Sequence, residues 1–247
     1  LATDLEATRF EIEVATRIES ISTETPTAFV ANQPNNITRV PVGGKPEPHI
    51  SIAMAHDGMA ATPPSIIDEM SNEASNVRTF ITSITPSIED HGMKIQCSAK
   101  QFDNASVPQL LFSEKFSTPV VLNVTFPPQP KSKETFQAIL GESVNITIEF
   151  DSNPIPNITE WVEEAPGDNG LVLGNGSDKY QIEDLVALSD TKFQATIRIN
   201  AVTEDDLKNN FYLMATNSLG TKKYEFSHTT DDISTPQPQN LTVYIII

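Results

Sequence analysis

Apolar and polar side chains alternate along much of the chain, which is the pattern of half-buried β-strands. Residues 9–20 (RFEIEVATRIES) alternate bulky and charged side chains, and residues 144–150 and 193–199 place an apolar side chain at every second position. Turn-forming stretches such as GGKPEP, SNPIP, APGDNG and SLGT separate the runs. Helical periodicity is not sustained outside short acidic turns such as TEDDLKNN. The alternation therefore predicts an all-β protein built as an antiparallel sandwich.

The chain also repeats itself once. Residues 35–52 and 144–161 both contain Asn-Ile-Thr, a short spacer, Pro-x-Pro and a second β run. A repeat on this scale indicates two tandem copies of one structural unit, each of about 110 residues.

A second landmark of the repeat lies later in each copy, where IEDHGMKIQCSAK corresponds to EDDLKNNFYLMATN. An aspartate, Asp90 or Asp206, precedes an inward-facing strand position, Cys97 or Leu213, by the same interval in both copies. We expect the two aspartates to have a structural role in the loop before the strand.

The net charge of the chain limits its partners. Lysine and arginine number 16 against 33 acidic residues, which gives a formal net charge of −17 and a pI near 4.5. Such a chain repels phosphate backbones and anionic headgroups. Nucleic-acid binding and docking to a membrane through basic residues are therefore poor hypotheses.

Asparagine glycosylation motifs point to the secretory pathway, because Asn-x-Ser/Thr is used only there. A cytosolic protein rich in asparagine and threonine is the alternative, and a lone cysteine favours it. The number of motifs favours a secreted or cell-surface glycoprotein. The motifs begin at Asn36, Asn104, Asn123, Asn145, Asn157, Asn175 and Asn240.

Residue patterns that support catalysis or cofactor binding are missing from the sequence. The histidines lack metal-ligand spacing, and neither a His-Glu-x-x-His motif nor a Gly-x-Ser-x-Gly elbow nor a phosphate-binding glycine loop occurs. We predict a non-enzymatic protein without a cofactor or a metal. Paired acidic residues could be imagined as calcium ligands, but solvated surface charge is the better interpretation. These pairs are Glu89-Asp90, Glu163-Glu164, Asp205-Asp206 and Asp231-Asp232.

Several of these segments resemble those of immunoglobulin-superfamily cell-adhesion molecules, and more narrowly the insect fasciclin III type. The resemblance rests on VGGKPEPHI, SIEDHGMKIQCSA, the junction VVLNVTFPPQP, NITIEFDSNPIPNITEW and FYLMATNSLGTKKY, and it covers most of residues 25–228. It implies tandem immunoglobulin-like antiparallel β-sandwiches. Arg39, which stands where the family has a cysteine, and the absence of a tryptophan from the first copy depart from the family pattern.

The resemblance also assigns core positions, since the marked strands of an immunoglobulin domain carry an inter-sheet disulfide packed against tryptophan. The first cysteine position falls at Arg39 in one copy and at Ile148 in the other, opposite Cys97 and Leu213. Trp161 is the packing aromatic of the second copy, and Ile52 or Ala53 lies near that position in the first. Both domains would therefore lack the usual disulfide, and Cys97, the only cysteine, would be an inert buried residue rather than a reactive thiol.

Domain limits follow from the repeat and the turns. Residues 1–15 read as the final strand of a preceding domain or an edge strand, 16–126 and 127–230 as immunoglobulin-like domains, and 231–247 as a stalk. The closing LTVYIII is either the start of a truncated transmembrane span, which the resemblance favours, or a terminal strand.

The resemblance implies an extracellular adhesion or recognition protein, anchored in the plasma membrane at its carboxyl end. Its partner would be the same protein, or another immunoglobulin-superfamily protein, on an apposing neuronal or epithelial cell. The alternative is a heterophilic receptor or guidance ligand. The binding face is not assigned, but sequon-free stretches are candidates. One is HISIAMAHDGMAATPP, in which Met54 and Met59 could adapt to a partner; the alternative is an ordinary strand and loop.

Overall fold

The structure, a computed structural model, describes most of the chain: residues 16–56, 66–74, 77–102, 111–129, 135–167, 169–174 and 178–229. Several sequence predictions lie outside these residues, namely those for segments 1–15 and 231–247, Met59, Asn104, Asn175 and Asn240. Within the described ranges, no helix is long and apolar enough to cross a membrane.

The chain folds as two compact units, Leu1–Thr125 and Phe126–Ile247. The strands of the first unit are β1 (Thr16–Glu24), β2 (Phe29–Val30), β3 (Asn35–Lys45), β4 (His49–Ala55), β5 (Ile66–Ala74), β6 (Val77–Ile84), β7 (Lys94–Phe102), β8 (Leu111–Phe116) and β9 (Val120–Val121). A single 3-10 turn, Ile88–Asp90, precedes β7.

Two antiparallel sheets form the first unit. One has the strand order β1-β3-β6-β5, and the other has the order β4-β7-β8, with β9 pairing β7 beyond the end of β8. Strand β3 bends at Gly43, two residues before its end, where φ is +78° and an added Cβ would lie 2.9 Å from the Arg17 carbonyl oxygen. Only glycine fits this bend without strain.

The core of the first unit lies between its two sheets and follows directly from the alternation of the strands. In β3 the inward positions hold Ile37 and Arg39, and in β7 they hold Ile95, Cys97 and Ala99. The remaining members of the buried cluster are Ile18, Ile21, Phe29, Ile52, Met54, Ile84, Leu122 and Val124.

The second unit contains β10, whose first two residues belong to the first unit. Its strands are β10 (Val124–Gln129), β11 (Thr135–Gln137), β12 (Val144–Asn153), β13 (Ile158–Glu164), β14 (Leu171–Val172), β15 (Tyr180–Ile182), β16 (Val186–Ala187), β17 (Lys192–Ile199), β18 (Asn210–Asn217), β19 (Gly220–Glu225) and β20 (Ser227–Thr229).

The sheets of the second unit repeat the arrangement of the first. β15, β17 and β12 form one sheet, to which Phe126–Gln129 of β10 and strand β16 add at its edges. β14, β13, β18 and β19 form the other in that order, and β11 pairs in parallel with β20. Apolar side chains from both sheets, including Ile148, Trp161 and Leu213, fill the space between them.

The fold-class prediction is confirmed: the protein is all-β, with two tandem immunoglobulin-like antiparallel sandwiches. Neither sandwich has an inter-sheet disulfide, because Cys97 is the only cysteine and its thiol is free. The suggestion that Met54 meets a partner is wrong. Met54 is an inward residue of β4 and only 5% exposed, because it faces the core shared with Ile52 and Ile95.

Candidate recognition surface

The outer surface of the β4-β7-β8 sheet, called face 1 here, is built from the strand positions between the core residues. Ile52 and Met54 of β4 point inward, so Ser51, Ala53 and Ala55 point outward. The register aligns Ser51 with Ser98 of β7 and Ser98 with Phe116 of β8. The hydroxyl oxygens of Ser51 and Ser98 lie 2.7 Å apart. The central row of face 1 therefore consists of two small polar side chains next to the ring of Phe116.

Large apolar side chains on the β8 and β9 side of face 1 remain in solvent. Leu111, Phe116 and Val121 are 52%, 59% and 57% exposed. Soluble proteins expose single apolar residues routinely, whereas a group on one sheet face is a feature of interaction sites. These three side chains make face 1 the first candidate for partner contact.

The charged groups of face 1 include an ion pair between two of its strands. Lys100 of β7 forms an ion pair with Glu114 of β8 at 3.1 Å, and Lys94 is exposed at the other end of β7. Phe102 packs edge-on against the His49 ring, with a centroid distance of 5.7 Å. Because Lys100 and Glu114 are paired, the desolvation cost of covering them is lower.

Sequon asparagines lie away from the centre of face 1. Asn36 is exposed on the outer side of β3, in the opposite sheet, where it pairs with Ser83. Asn123 follows β9, two residues after Val121, so it lies at the β9 end of face 1 and not in the row of Phe116. A glycan at either position would leave the Phe116 row open.

The second unit places its sequons similarly but has a different sheet surface. Asn145 is exposed on the outer side of β12 and pairs with Arg198, at the position corresponding to Asn36. Asn157 is exposed just before β13. The structure therefore describes four sequon asparagines, and all four side chains are exposed.

An ionic cluster covers the outer surface of the β14-β13-β18-β19 sheet. The Lys223 ammonium lies 3.9 Å from the centroid of the Tyr212 ring and forms ion pairs with Glu225 at 3.1 Å and Glu164 at 3.4 Å. Burial works against the Lys223 charge, but these two carboxylates outweigh it and raise its pKa. The same sheet also carries Leu171 and Val172 of β14, which are 66% and 55% exposed. We prefer face 1 because Phe116 adds an aromatic ring, the kind of side chain that is enriched in interfaces.

The aspartates singled out by the repeat each close a loop. In the first unit the Asp90 carboxylate accepts hydrogen bonds from the backbone nitrogen of Ser87 at 2.7 Å and from its hydroxyl at 3.0 Å. In the second unit Asp206 accepts from the nitrogen and hydroxyl of Thr203 and from Lys179. In each unit the carboxylate therefore holds the loop before the strand that carries Cys97 or Leu213.

Other members of the acidic pairs are also engaged. The Glu163 carboxylate accepts hydrogen bonds from the Tyr180 hydroxyl at 2.8 Å and from the Asn209 amide at 2.6 Å. Burial, together with Glu163, raises the pKa of Tyr180. Among the residues that the structure describes, no group of three His, Cys, Asp or Glu side chains could hold a metal ion.

The five core residues assigned by resemblance are all buried. Arg39 and Cys97 are in opposite sheets of the first unit, and Ile148 and Leu213 are in opposite sheets of the second. Trp161 pairs with Leu213 across β13 and β18, and its ring stacks on Phe226 at a centroid distance of 5.5 Å.

The first unit has an equivalent of the tryptophan position. Ile52 pairs with Cys97 across β4 and β7, as Trp161 pairs with Leu213 in the second unit. Of the two residues proposed from the sequence, Ile52 occupies the position and Ala53 faces the other way, because only one of two consecutive strand residues can point into the core.

Arg39 places a guanidinium in the core, at a position where the resemblance leads us to expect a cysteine. It is 1% exposed, donates a hydrogen bond to the hydroxyl of the fully buried Thr82, and places its central carbon 5.8 Å from the centroid of the Phe80 ring. Burial raises the pKa of the Cys97 thiol, opposed by the nearby hydroxyls of Thr23 and Ser117 and by the charge of Arg39. A buried, protonated thiol is a poor nucleophile.

Comparison with known proteins adds the following. No protein-family model matches the chain, and no curated protein matches its sequence. Among solved structures, the chain is similar to one in the crystal structure of Dpr2 Ig1-Ig2 in complex with DIP-Theta Ig1-Ig3, at 19% identity and a TM-score of 0.47; the match covers 87% of this chain and 66% of that one. It is also similar to a chimeric titin Z1Z2-Z1Z2 tandem, at 18% identity and a TM-score of 0.31, covering 87% of this chain and 97% of that one.

Proposed function

We propose that the protein is a non-enzymatic, extracellular recognition protein whose face 1 binds a second copy of the same chain on an apposing cell. The observation that carries the proposal is the row of three exposed apolar side chains, Leu111, Phe116 and Val121, spaced along the outer surface of one sheet. Full burial of such a side chain contributes about 1.5–3 kcal/mol, and covering the exposed half of each contributes roughly half of that.

The placement of the sequons supports the same face. In both units the first Asn-Ile-Thr motif puts its asparagine, Asn36 or Asn145, on the outer side of the sheet that does not carry face 1 or its equivalent. A glycan there prevents close packing of that sheet against another protein. Asn123, two residues after Val121, and Asn157, just before β13, lie at the ends of face 1 and of its equivalent, so the Phe116 row is the part of face 1 that the described sequons leave open.

The resemblance to adhesion molecules of the fasciclin III type supports the cellular setting. It suggests contacts between neurons or epithelial cells, a plasma-membrane anchor in the segment 231–247, and domains at 16–126 and 127–230. Single contacts of this kind are weak, and many of them on a cell surface act together through multivalency.

The experiment is a clustering assay with the glycosylated chain attached to beads of two colours. Phe116→Asp places a charge in the centre of face 1 and is expected to weaken clustering about tenfold or more. Val42→Asp is the matched control, because Val42 is also exposed on a strand but lies on the outer side of β3. Thermal unfolding of both variants checks that the fold is retained.

Mixed clusters with wild-type and Val42→Asp beads, and loss of clusters with Phe116→Asp, would support homophilic binding through face 1. Equal clustering by both variants would place the contact elsewhere. Dispersed wild-type beads at high surface density would contradict homophilic binding and favour the heterophilic alternative, in which a different immunoglobulin-superfamily protein covers face 1.

A further inference from the structure

Three exposed aliphatic side chains lie at one end of the second unit, in the loop before β13, at the first residue of β13 and in the turn between β18 and β19. Ile155 is 60% exposed and Ile158 is 44% exposed; they flank the start of β13, while Leu219, 40% exposed, lies in the turn between β18 and β19. We call these three residues the loop-end cluster. Their exposure leaves apolar surface in water at a place where the backbone is well ordered by hydrogen bonds.

Asn217 ties the two loops together. Its side-chain amide donates hydrogen bonds to the Pro154 carbonyl at 3.1 Å and to the Ser152 hydroxyl at 3.1 Å, and its oxygen accepts from the backbone nitrogens of Leu219 at 2.9 Å and Gly220 at 3.2 Å. Asn217 is 4% exposed, so these hydrogen bonds are buried beneath the loops. They fix the backbone that carries the loop-end cluster.

The sequon asparagine Asn157 lies within this cluster. It stands between Ile155 and Ile158 in sequence, its side chain is exposed, and its backbone nitrogen donates to the Thr216 carbonyl at 2.9 Å. The hydrogen bond brings Asn157 beside the end of β18, two residues before the turn that carries Leu219. Asn157 therefore lies where the two loops are joined, two residues after Ile155 and directly before Ile158, and a group attached to its amide starts next to both loops.

We propose that Asn157 is N-glycosylated and that the first sugar of its glycan packs on the loop-end cluster and stabilises the second unit. An N-acetylglucosamine ring offers C–H groups and an acetyl methyl group to an apolar surface, while its hydroxyl groups stay in water. The cluster supplies aliphatic carbon without competing charge at its three members. The proposal rests on the passage of the chain through the secretory pathway, which the proposed function also requires.

Asn145 provides an internal contrast. It lies near the start of the antiparallel β12–β17 pair, opposite Arg198 and two residues before Thr147, whose hydroxyl lies 3.1 Å from that of Thr196. Its surroundings on the outer side of the sheet are polar, so a glycan there has no aliphatic platform. Its removal is expected to leave the stability of the second unit unchanged.

Trp161, the only tryptophan, reports unfolding of the second unit by fluorescence, so the test uses the full glycosylated chain. Thr159→Ala removes the Asn157 sequon, and Thr159→Ser retains it as the matched control. We expect the midpoint temperature of unfolding of the second unit to be about 3–6 °C lower in Thr159→Ala than in the wild type, because the contact between the sugar and the cluster is lost. Thr159→Ser and Asn145→Gln should leave it unchanged, and trimming the glycans to one sugar should retain the stability.

A double-mutant cycle identifies the cluster as the platform. Ile155→Ser and Leu219→Ser are expected to lower the midpoint in the glycosylated chain but to have little effect in the Thr159→Ala background, because the sugar that they contact is then absent. Equal effects in both backgrounds would overturn the proposal, as would an unglycosylated Asn157 in a chain whose other sequons carry glycans. A chain with no glycan at any sequon would overturn both this proposal and the extracellular location.

Discussion

Asp206 holds Thr203 through two hydrogen bonds, one from the backbone nitrogen at 2.6 Å and one from the hydroxyl at 2.8 Å. The same carboxylate oxygen also accepts a hydrogen bond from the Lys179 ammonium, which joins this loop to the segment before β15. Burial opposes ionisation of Asp206, but the donors outweigh it, so the pKa of this carboxyl is lowered. The folded second unit therefore prefers the ionised form.

Asp206→Asn should destabilise the second unit by about 1–3 kcal/mol, because buried charge-assisted hydrogen bonds are lost. The contribution of Asp206 to the free energy of unfolding depends on pH. Because the pKa is lower in the folded state, the contribution is fully present at pH values above the pKa of the unfolded state, near 3.9. It is lost as the pH falls through the pKa of the folded state. Denaturant unfolding between pH 7 and pH 3 should show the difference between wild type and variant shrink in acid.

Asp205→Asn is the matched control for this experiment. Asp205 is the preceding residue, its side chain is 86% exposed, and its ion pair with Lys208 lies in solvent. We expect a change of less than about 0.5 kcal/mol, as for exposed pairs in general. A loss from Asp205→Asn as large as that from Asp206→Asn would contradict the structural role of the Asp206 loop.

The Cys97 thiol should be unreactive in the native protein. It is completely buried, and burial raises its pKa, so the thiolate that attacks alkylating reagents is scarce and shielded. We expect a neutral disulfide reagent to modify the chain only after addition of denaturant. Rapid modification of the native chain at neutral pH would show that the first unit opens locally at β7 or that Cys97 has a chemical role.

Much of this arrangement could be predicted from the sequence because alternation and repetition both act locally. The apolar positions of residues 144–150 and 193–199 are the inward ones that pair as Ile148 and Ala195. The repeat identified Asp90 and Asp206 because loop-closing carboxylates need a fixed interval from the next strand. These features are encoded over short stretches of chain.

Face 1 and the orientation of Met54 could not be predicted in the same way. In HISIAMA small and large apolar residues follow one another, so the sequence does not show which set points inward. The pairing of Ile52 with Cys97 fixes this. Likewise Ser51, Ser98 and Phe116 become neighbours only through strand register, and Ile155 and Leu219 only through Asn217.

Arg39→Cys should permit a disulfide with Cys97 in the first unit. The two positions lie in opposite sheets, and the charge of Arg39 is close enough to influence the Cys97 thiol. Such a bridge typically stabilises by about 2–4 kcal/mol, reduced here by the lost contact of Arg39 with Thr82. Loss of free thiol under oxidising conditions, measured in denaturant, would support the positional assignment; a persistent thiol in a folded variant would contradict it.

Trp161 should report on the second unit alone. It is the only tryptophan, it is 2% exposed, and its ring stacks on Phe226 within the core that contains Leu213. The native emission should therefore be blue-shifted and move to the red when the second unit unfolds. Leu213→Ala opens a cavity beside the ring and should destabilise the unit by about 2–5 kcal/mol.

Ile52→Ala in the first unit supplies the comparison, because Ile52 holds the position that corresponds to Trp161 and is 5% exposed. It should lower the stability of the first unit, seen by circular dichroism, while the tryptophan midpoint stays in place. If the units stabilise one another, Ile52→Ala will instead shift the fluorescence midpoint as Leu213→Ala does. Two separate midpoints would show that each sandwich is stable through its own packed core, without the disulfide that its positions could accommodate.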